Sequence, residues 1–276
     1  MINAFSVDLE DWFCVNNLSH IINKNDWEKQ ELRVEKNTEK LLTLFKKFNI
    51  KVTFFILGWI AEKVPELIES IDKEGHEIAT HGYSHSLLTE ITPDFFKQDL
   101  RKAIAITKSI TNKDILGFRA PSFTITNKTL WAIDIMKDEG IKYDSSVFPI
   151  SFHPDYGISN ASLKIFEIKE GITEVPLSVV EIFGKRIPCS GGGYFRLYPY
   201  KFTKWLINKC NKQGRPVIFY LHPWEIDPGQ PKINLPIIKR FRHYNNLNKT
   251  DGRLEKLLMD FEFAPVKEII EWNTKT

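Results

Sequence analysis

Residues 1–12 read MINAFSVDLEDW. The apolar stretch Ile2–Val7 predicts a strand, and Asp8, Glu10 and Asp11 then crowd three carboxylates into four positions. Like charges packed together raise one another's pKa and cost stability unless something positive, or water, lies among them. A strand that ends in such a cluster suggests a fold that gathers polar residues at its strand ends.

The rest of the chain fits that idea. Lys51–Leu57 (KVTFFIL) is β-branched and aromatic, as a buried strand is. Further strands are predicted at Glu77–Thr80, Ile115–Arg119, Ile141–Asp144 and Pro216–Leu221. Helical stretches lie between them. Val34–Phe48 carries a stripe at Leu41, Leu42, Leu44, Phe45 and Phe48. Pro65–Glu74 starts on proline and stops at Gly75, Pro93–Thr111 opens on the cap-like Thr92, and Thr126–Glu139 ends at Gly140. Tyr200–Gln213, a stretch near Arg253–Phe261 and another near Val266–Trp272 complete the series. Strands that are uniformly apolar and alternate with helices are parallel strands covered on both faces. The expected class is α/β, as a distorted (β/α) barrel of about seven parallel strands. No Gly/Ser linker divides residues 1–276, so a single domain is expected. It would carry an irregular insertion near residues 151–199, with short β pairs, and a C-terminal extension near 228–276.

The composition is that of a globular protein: 276 residues, 42% apolar and 26% charged. A net charge of +3 with dispersed lysines gives no case for nucleic acid. The run Lys239-Arg240-Phe241-Arg242-His243 is the one basic cluster, and its ordinary reading is a solvated surface. The three cysteines, Cys14, Cys189 and Cys210, are far apart and form no CxxC pair, so neither a disulfide framework nor a thiolate metal site is expected. The longest apolar run, Phe54–Ala61, is too short for a membrane helix, and no leader is seen before Ile2, so a cytoplasmic protein is expected.

In parallel α/β folds ligands bind at the carboxyl ends of the strands. Besides Asp8, Glu10 and Asp11, the predicted ends carry His81, His85, Arg119, Asp144 and His222. In His81-Gly82-Tyr83-Ser84-His85 the two imidazoles are four apart, which on a helical turn would face one metal. Alone the pair is weak, because satisfied structural histidines are commoner. Two histidines with a carboxylate make a recurrent hydrolytic metal site.

Five segments now stand in order: VDLEDW, HGYSH, RAP (Arg119–Pro121), DSSVFP (Asp144–Pro149) and LHPWE (Leu221–Glu225). In this the chain resembles the polysaccharide deacetylase family, the NodB-homology carbohydrate esterases. Ser190–Pro199 (SGGGYFRLYP) and Arg240–Leu258 resemble a branch tied to exopolysaccharide biosynthesis. The resemblance implies a NodB-like barrel, an N-acetylated saccharide substrate and a divalent metal, zinc by expectation, that polarises the acetamido group and activates water. It implies Asp8 as general base, Arg119 as its tether, His222 as general acid and Asp144 as the group that orients His222. It implies an oxyanion donor in a backbone N–H, that of Ser122. His81 and His85 would be metal ligands. The third ligand is open, because many relatives have adjacent aspartates where this chain has Asp-Leu-Glu-Asp. If the strand continues, Asp8 and Glu10 share a face, which favours Asp8 as base and Glu10 as ligand. Asp11 is the alternative ligand, with Glu10 then free to be the base.

Other residues have two readings. Trp224 is either a wall for the acetyl methyl or core, and Tyr194 lies in a stretch expected to touch saccharide. Gly191-Gly192-Gly193 lacks a phosphate-loop ending and implies close backbone approach or a tight turn. His153 and Asp155 either line a groove or make a turn. His76 reads as structural. Competing functions are a cyclic-amide or peptidoglycan-type hydrolase on this fold, and a carbohydrate-binding protein without turnover.

Overall fold

The computed structural model describes residues 1–150 and 157–275. His153 and Asp155 lie outside them. Strand β1 (Asn3–Leu9) is buried at every position, as a strand covered on both faces must be. It is followed by α1 (Val34–Lys47), β2 (Thr53–Ile56), α2 (Gly58–Lys63), α3 (Pro65–Lys73), β3 (Glu77–Thr80), α4 (Pro93–Thr111), β4 (Gly117–Phe118), α5 (Trp131–Asp138) and β5 (Tyr143–Asp144). The second half contains β6 (Phe166–Lys169), β7 (Ile172–Glu174), β8 (Val179–Ile182), β9 (Lys185–Pro188), α6 (Gly192–Leu197), α7 (Tyr200–Lys212) and β10 (Ile218–Leu221). It ends with α8 (Ile237–Tyr244), α9 (Leu247–Asp260), β11 (Phe263–Ala264) and α10 (Val266–Lys275).

The main sheet has the order β10-β1-β2-β3-β4-β5-β7-β6, with β11 also on β1. The strands from β10 to β7 pair in parallel, and β6 is antiparallel at the edge. Seven parallel strands in a row agree with the sequence reading. The sheet is strongly curled. Arg119, just past β4, and Tyr220 of β10 are four strand spacings apart, about 19 Å in a flat sheet. Yet the Arg119 guanidinium lies 5.5 Å from the Tyr220 ring. The curl makes a half-barrel: among the described residues no hydrogen-bonded pairing joins β10 to β6 or β7.

Register explains the rim. Leu9 pairs with Ile56, Ile56 with Thr80, Thr80 with Phe118, Phe118 with Asp144, and Asp144 with Glu174. The next residue on each strand therefore leaves the sheet at one level: Glu10, His81 and Arg119 among them. The insertion supplies the expected β pairs, β6 with β7 and β8 with β9, but β7 also joins the main sheet. The C-terminal extension returns to the sheet through β11, which pairs with Asn3 and Ala4. The run Phe54–Ala61, read as one apolar stretch, divides between β2 and α2. No helix among the described residues is long and apolar enough to cross a membrane.

Candidate active site

Glu10, His81 and His85 come together on the rim. All three are buried, and one ligand atom from each lies within 4.8 Å of the others. His81 donates its Nδ1 proton to the Arg119 carbonyl (2.8 Å), since a carbonyl can only accept. That leaves Nε2 with a free lone pair. Burial holds the His81 pKa down at about 4, so the ring is neutral, the form that binds metal. His85 Nε2 is 2.8 Å from Glu10 Oε2, yet that oxygen makes no acceptable hydrogen bond. A carboxylate and an imidazole facing each other in a buried space can hold an ion between them, the ring being neutral when it does. Burial works to raise the Glu10 pKa, but His85 and His222 outweigh it and hold it at about 2. The donor set suits a divalent metal.

The histidine segment is not helical. Gly82 (φ 71°) and His85 (φ 51°) adopt left-handed backbone, and Asp99 on α4 accepts the N–H groups of Tyr83 (2.7 Å) and Ser84 (3.1 Å). The start of α2 holds the other side, where Gly58 and Trp59 donate to the carbonyls of Gly82 and Tyr83. The turn brings the two imidazole centroids to 5.3 Å without a helix.

Asp11 departs from its sequence reading as a ligand. Its carboxylate turns away from the trio and accepts the N–H groups of Trp12 (2.7 Å), Arg33 (2.7 Å) and Val34 (2.9 Å). It thereby satisfies orphan donors at the start of α1. The physical cause is that β1 ends at Leu9 and the chain turns sharply, with the Glu10 N–H on the Asp8 carbonyl (3.0 Å).

Arg119 is fully buried and extended across the half-barrel. Its Nη1 donates to Asp8 Oδ1 and Ser6 Oγ (2.7 Å each), and its Nε and Nη2 donate to the carbonyl and hydroxyl of Ser145 (2.9 and 2.8 Å). It lies over the Phe55 ring at 4.1 Å. The tether of Asp8 read from sequence is therefore present. Asp8 Oδ2 points to the other side, 3.9 Å from His222 Nε2.

His222 is held differently from its sequence reading. Its Nδ1 pairs with Glu225 Oε2 at 3.0 Å, and the same oxygen accepts the His222 backbone N–H (3.0 Å). Glu225 Oε1 in turn accepts from Arg196 Nε (2.9 Å). Burial alone would raise the Glu225 pKa and lower that of His222. The Arg196 charge and His222 instead hold Glu225 at about 2. The Glu10, Glu225 and Asp8 carboxylates lift His222 to about 9. Asp144 makes no hydrogen bond to His222: it accepts from Ser146 Oγ (2.5 Å) and lies beside buried Glu174, its register partner. Its pKa is raised to about 6 by burial. Sequence reasoning missed both Glu225 and Arg196. Glu225 had a signal, since His-Pro-x-Glu is a capping-box spacing; Arg196, 29 residues upstream, had none.

Trp224 is buried, and its ring stacks on His222 (5.3 Å) and on His243 (4.7 Å), which fits its reading as core. Tyr194 packs on Phe148 (6.4 Å) and Tyr198 (5.8 Å). Ser122 has φ 51°, and its N–H donates to none of the described residues. Gly191 and Gly192 serve internal packing. A Cβ on Gly192 would fall 1.7 Å from Glu225 Oε2, and one on Gly191 2.5 Å from the Tyr220 hydroxyl. His76 is structural, accepting the Val52 N–H at 3.2 Å. A cavity of about 380 Å³ opens beside His85, walled by Asn16, Asn23 and Lys24 over Trp27.

Known proteins share this arrangement's frame. Residues 26–143 match the model of the polysaccharide deacetylase family. Over that stretch, somewhat under half of its length, the chain is similar to polysaccharide deacetylases. Residues 145–271 match a domain of unknown function, and this second half supplies His222, Glu225 and Arg196. The chain is 33% identical over 117 residues to a peptidoglycan deacetylase of Helicobacter pylori, covering 42% of this chain and 39% of that one. It is 36% identical over 104 residues to a peptidoglycan-N-acetylglucosamine deacetylase of Bacillus cereus, covering 35% and 36%. The matched stretch thus spans less than half of these relatives. In fold it is similar to a polysaccharide deacetylase structure from Mycobacterium smegmatis (TM-score 0.62, 19% identity, 97% of this chain and 88% of that one). It also resembles a pseudoenzyme of the same esterase family from Bacillus anthracis (TM-score 0.53, 12% identity, 97% and 64%).

Proposed function

We propose that this protein is a metal-dependent deacetylase that removes N-acetyl groups from an N-acetylated saccharide during glycan assembly. The observation that carries the proposal is the buried Glu10/His81/His85 group flanked by Asp8 on Arg119 and His222 on Glu225. Glu10, His81 and His85 would hold the ion, zinc in this reading. When bound it would supply a Lewis acid for the acetamido carbonyl and lower the pKa of water to about 7.

The chain's own groups do the rest. Arg119 fixes Asp8 so that Oδ2 faces the site, where it takes the proton of the attacking water. His222 gives its Nδ1 proton to Glu225 as a hydrogen bond, which aims the Nε2 proton at the site for the departing amine. The side chain of His222 is 19% exposed, against 3% or less for Asp8, Glu10 and Glu225, so the approach from solvent is on its side. In this reading the Ser122 N–H would donate to the developing oxyanion. The cavity beside His85 is in the size range of small-molecule sites, and its asparagines suit sugar hydroxyls.

The relatives' names favour a second substrate, peptidoglycan, over free exopolysaccharide chains. Acetate release is the test, measured on N-acetylglucosamine oligomers and on peptidoglycan, with and without chelator. Release that a chelator abolishes and zinc restores supports the proposal. Saccharide binding with no release by the metal-loaded protein overturns it in favour of a pseudoenzyme.

A further inference from the structure

Helix α8 presents a surface that the site does not use. Ile237, Ile238 and Phe241 are 87%, 69% and 54% exposed. At 3.6 residues per turn the three occupy an arc of about 100°. Arg240 lies about 60° beyond one edge of that arc and Arg242 about 40° beyond the other. Both arginines are exposed, and no ion pair among the described residues engages them. Residues 228–250 carry Lys232, Lys239, Arg240, Arg242 and Lys249 and not one carboxylate.

We propose that α8 docks this protein on an anionic lipid bilayer, its isoleucines and Phe241 entering the interface and Arg240 and Arg242 meeting headgroup phosphates. An apolar arc bordered by arginines is the pattern of a helix lying in a membrane surface. A run without carboxylates adds attraction to an anionic leaflet. A second copy fits poorly. A stable pair needs about 800 Å² per partner, more than three side chains offer, and a two-fold contact would face arginines with arginines.

The inner face of α8 makes the docking rigid. His243 is fully buried, stacks on Trp224 and bonds Gln230 through Nε2 (2.9 Å). Arg196 donates to the carbonyls of Arg242, His243 and Asn245. The exposed side chains can therefore be changed without touching these contacts. The helix stands two stacked rings from His222, so a docked α8 holds the site beside the bilayer. The inference rests on α8 alone and not on the activity.

The test is co-sedimentation of the full chain with phosphatidylglycerol-containing vesicles and with pure phosphatidylcholine vesicles. The variants are I237S/I238S/F241S and, separately, R240A, with thermal melts to confirm folding. The expected result is binding to the anionic vesicles that weakens with salt. It should fall roughly tenfold or more in the triple variant and about fivefold in R240A. Three results would overturn the proposal: no sedimentation of folded protein with anionic vesicles, equal binding by folded triple variant, or a self-association in ultracentrifugation that the triple variant abolishes while vesicle binding is absent. If the triple variant does not fold, R240A and the wild-type salt dependence decide.

Discussion

Replacing Glu225 with glutamine tests which carboxylate serves His222. The wild-type carboxylate lies 3.0 Å from Nδ1, which at an effective dielectric of about 20 corresponds to about 5 kcal/mol of attraction for the imidazolium. The glutamine would keep a carbonyl oxygen but no charge, and the Arg196 guanidinium, no longer neutralised, would also disfavour the imidazolium. Both effects lower the pKa of His222. A bound metal ion lowers it in wild type and variant alike, so the difference between them is the reading. The deacetylation rate should fall about 10–100-fold, the usual cost of losing a group that orients a catalytic one. The alkaline limb of the kcat–pH profile should move down by more than one unit. A purely structural role for Glu225 would lower the amount of folded enzyme without moving that limb. The companion variant is Asp144→Asn, which should keep kcat within a few-fold and leave the limb in place. A displaced limb in Asp144→Asn and an unmoved one in Glu225→Gln would refute the assignment.

Three further outcomes follow from the geometry. Asp144 has its folded pKa raised from 3.8 to about 6, so its contribution to stability is present below pH 4 and is lost as pH rises through 6. Urea unfolding should show wild type losing up to about 3 kcal/mol relative to Asp144→Asn between pH 4 and pH 7. Asp11→Ala should lower stability by about 2–4 kcal/mol in the same assay, since three buried N–H groups lose their acceptor, while metal affinity stays near wild type. Gly192→Ala should displace the Glu225 carboxylate and reproduce the pH shift of Glu225→Gln, read from the same rate profiles.

The parallel sheet was legible because β1, β2 and β10 are short apolar runs and helical periods separate them. Glu77–Thr80 and Pro93–Thr111 have the bounds their punctuation implied. Asp8, Arg119 and the two histidines were legible because register aligns strand ends, and sequence shows where strands end. The third ligand and the partner of His222 needed more. The period-two rule favoured Glu10, and Glu10 does join the histidines, although the strand stops at Leu9 and a turn places it. Asp11 depends on Arg33 and Val34, more than twenty residues on, and no local pattern shows that a carboxylate will cap a helix so far away. Asp144 reads as a site residue by position. Its in-register neighbour Glu174 sits on a strand that the irregular insertion hid, and that pairing takes it from His222.

The most direct measurement is the metal content of purified wild type, His81→Ala, Glu10→Ala and Asp11→Ala after equilibration with zinc. The account expects about one ion per chain in wild type and Asp11→Ala, and loss of tight binding in His81→Ala and Glu10→Ala. Loss in Asp11→Ala with retention in Glu10→Ala, or no ion in wild type at excess zinc, would contradict it.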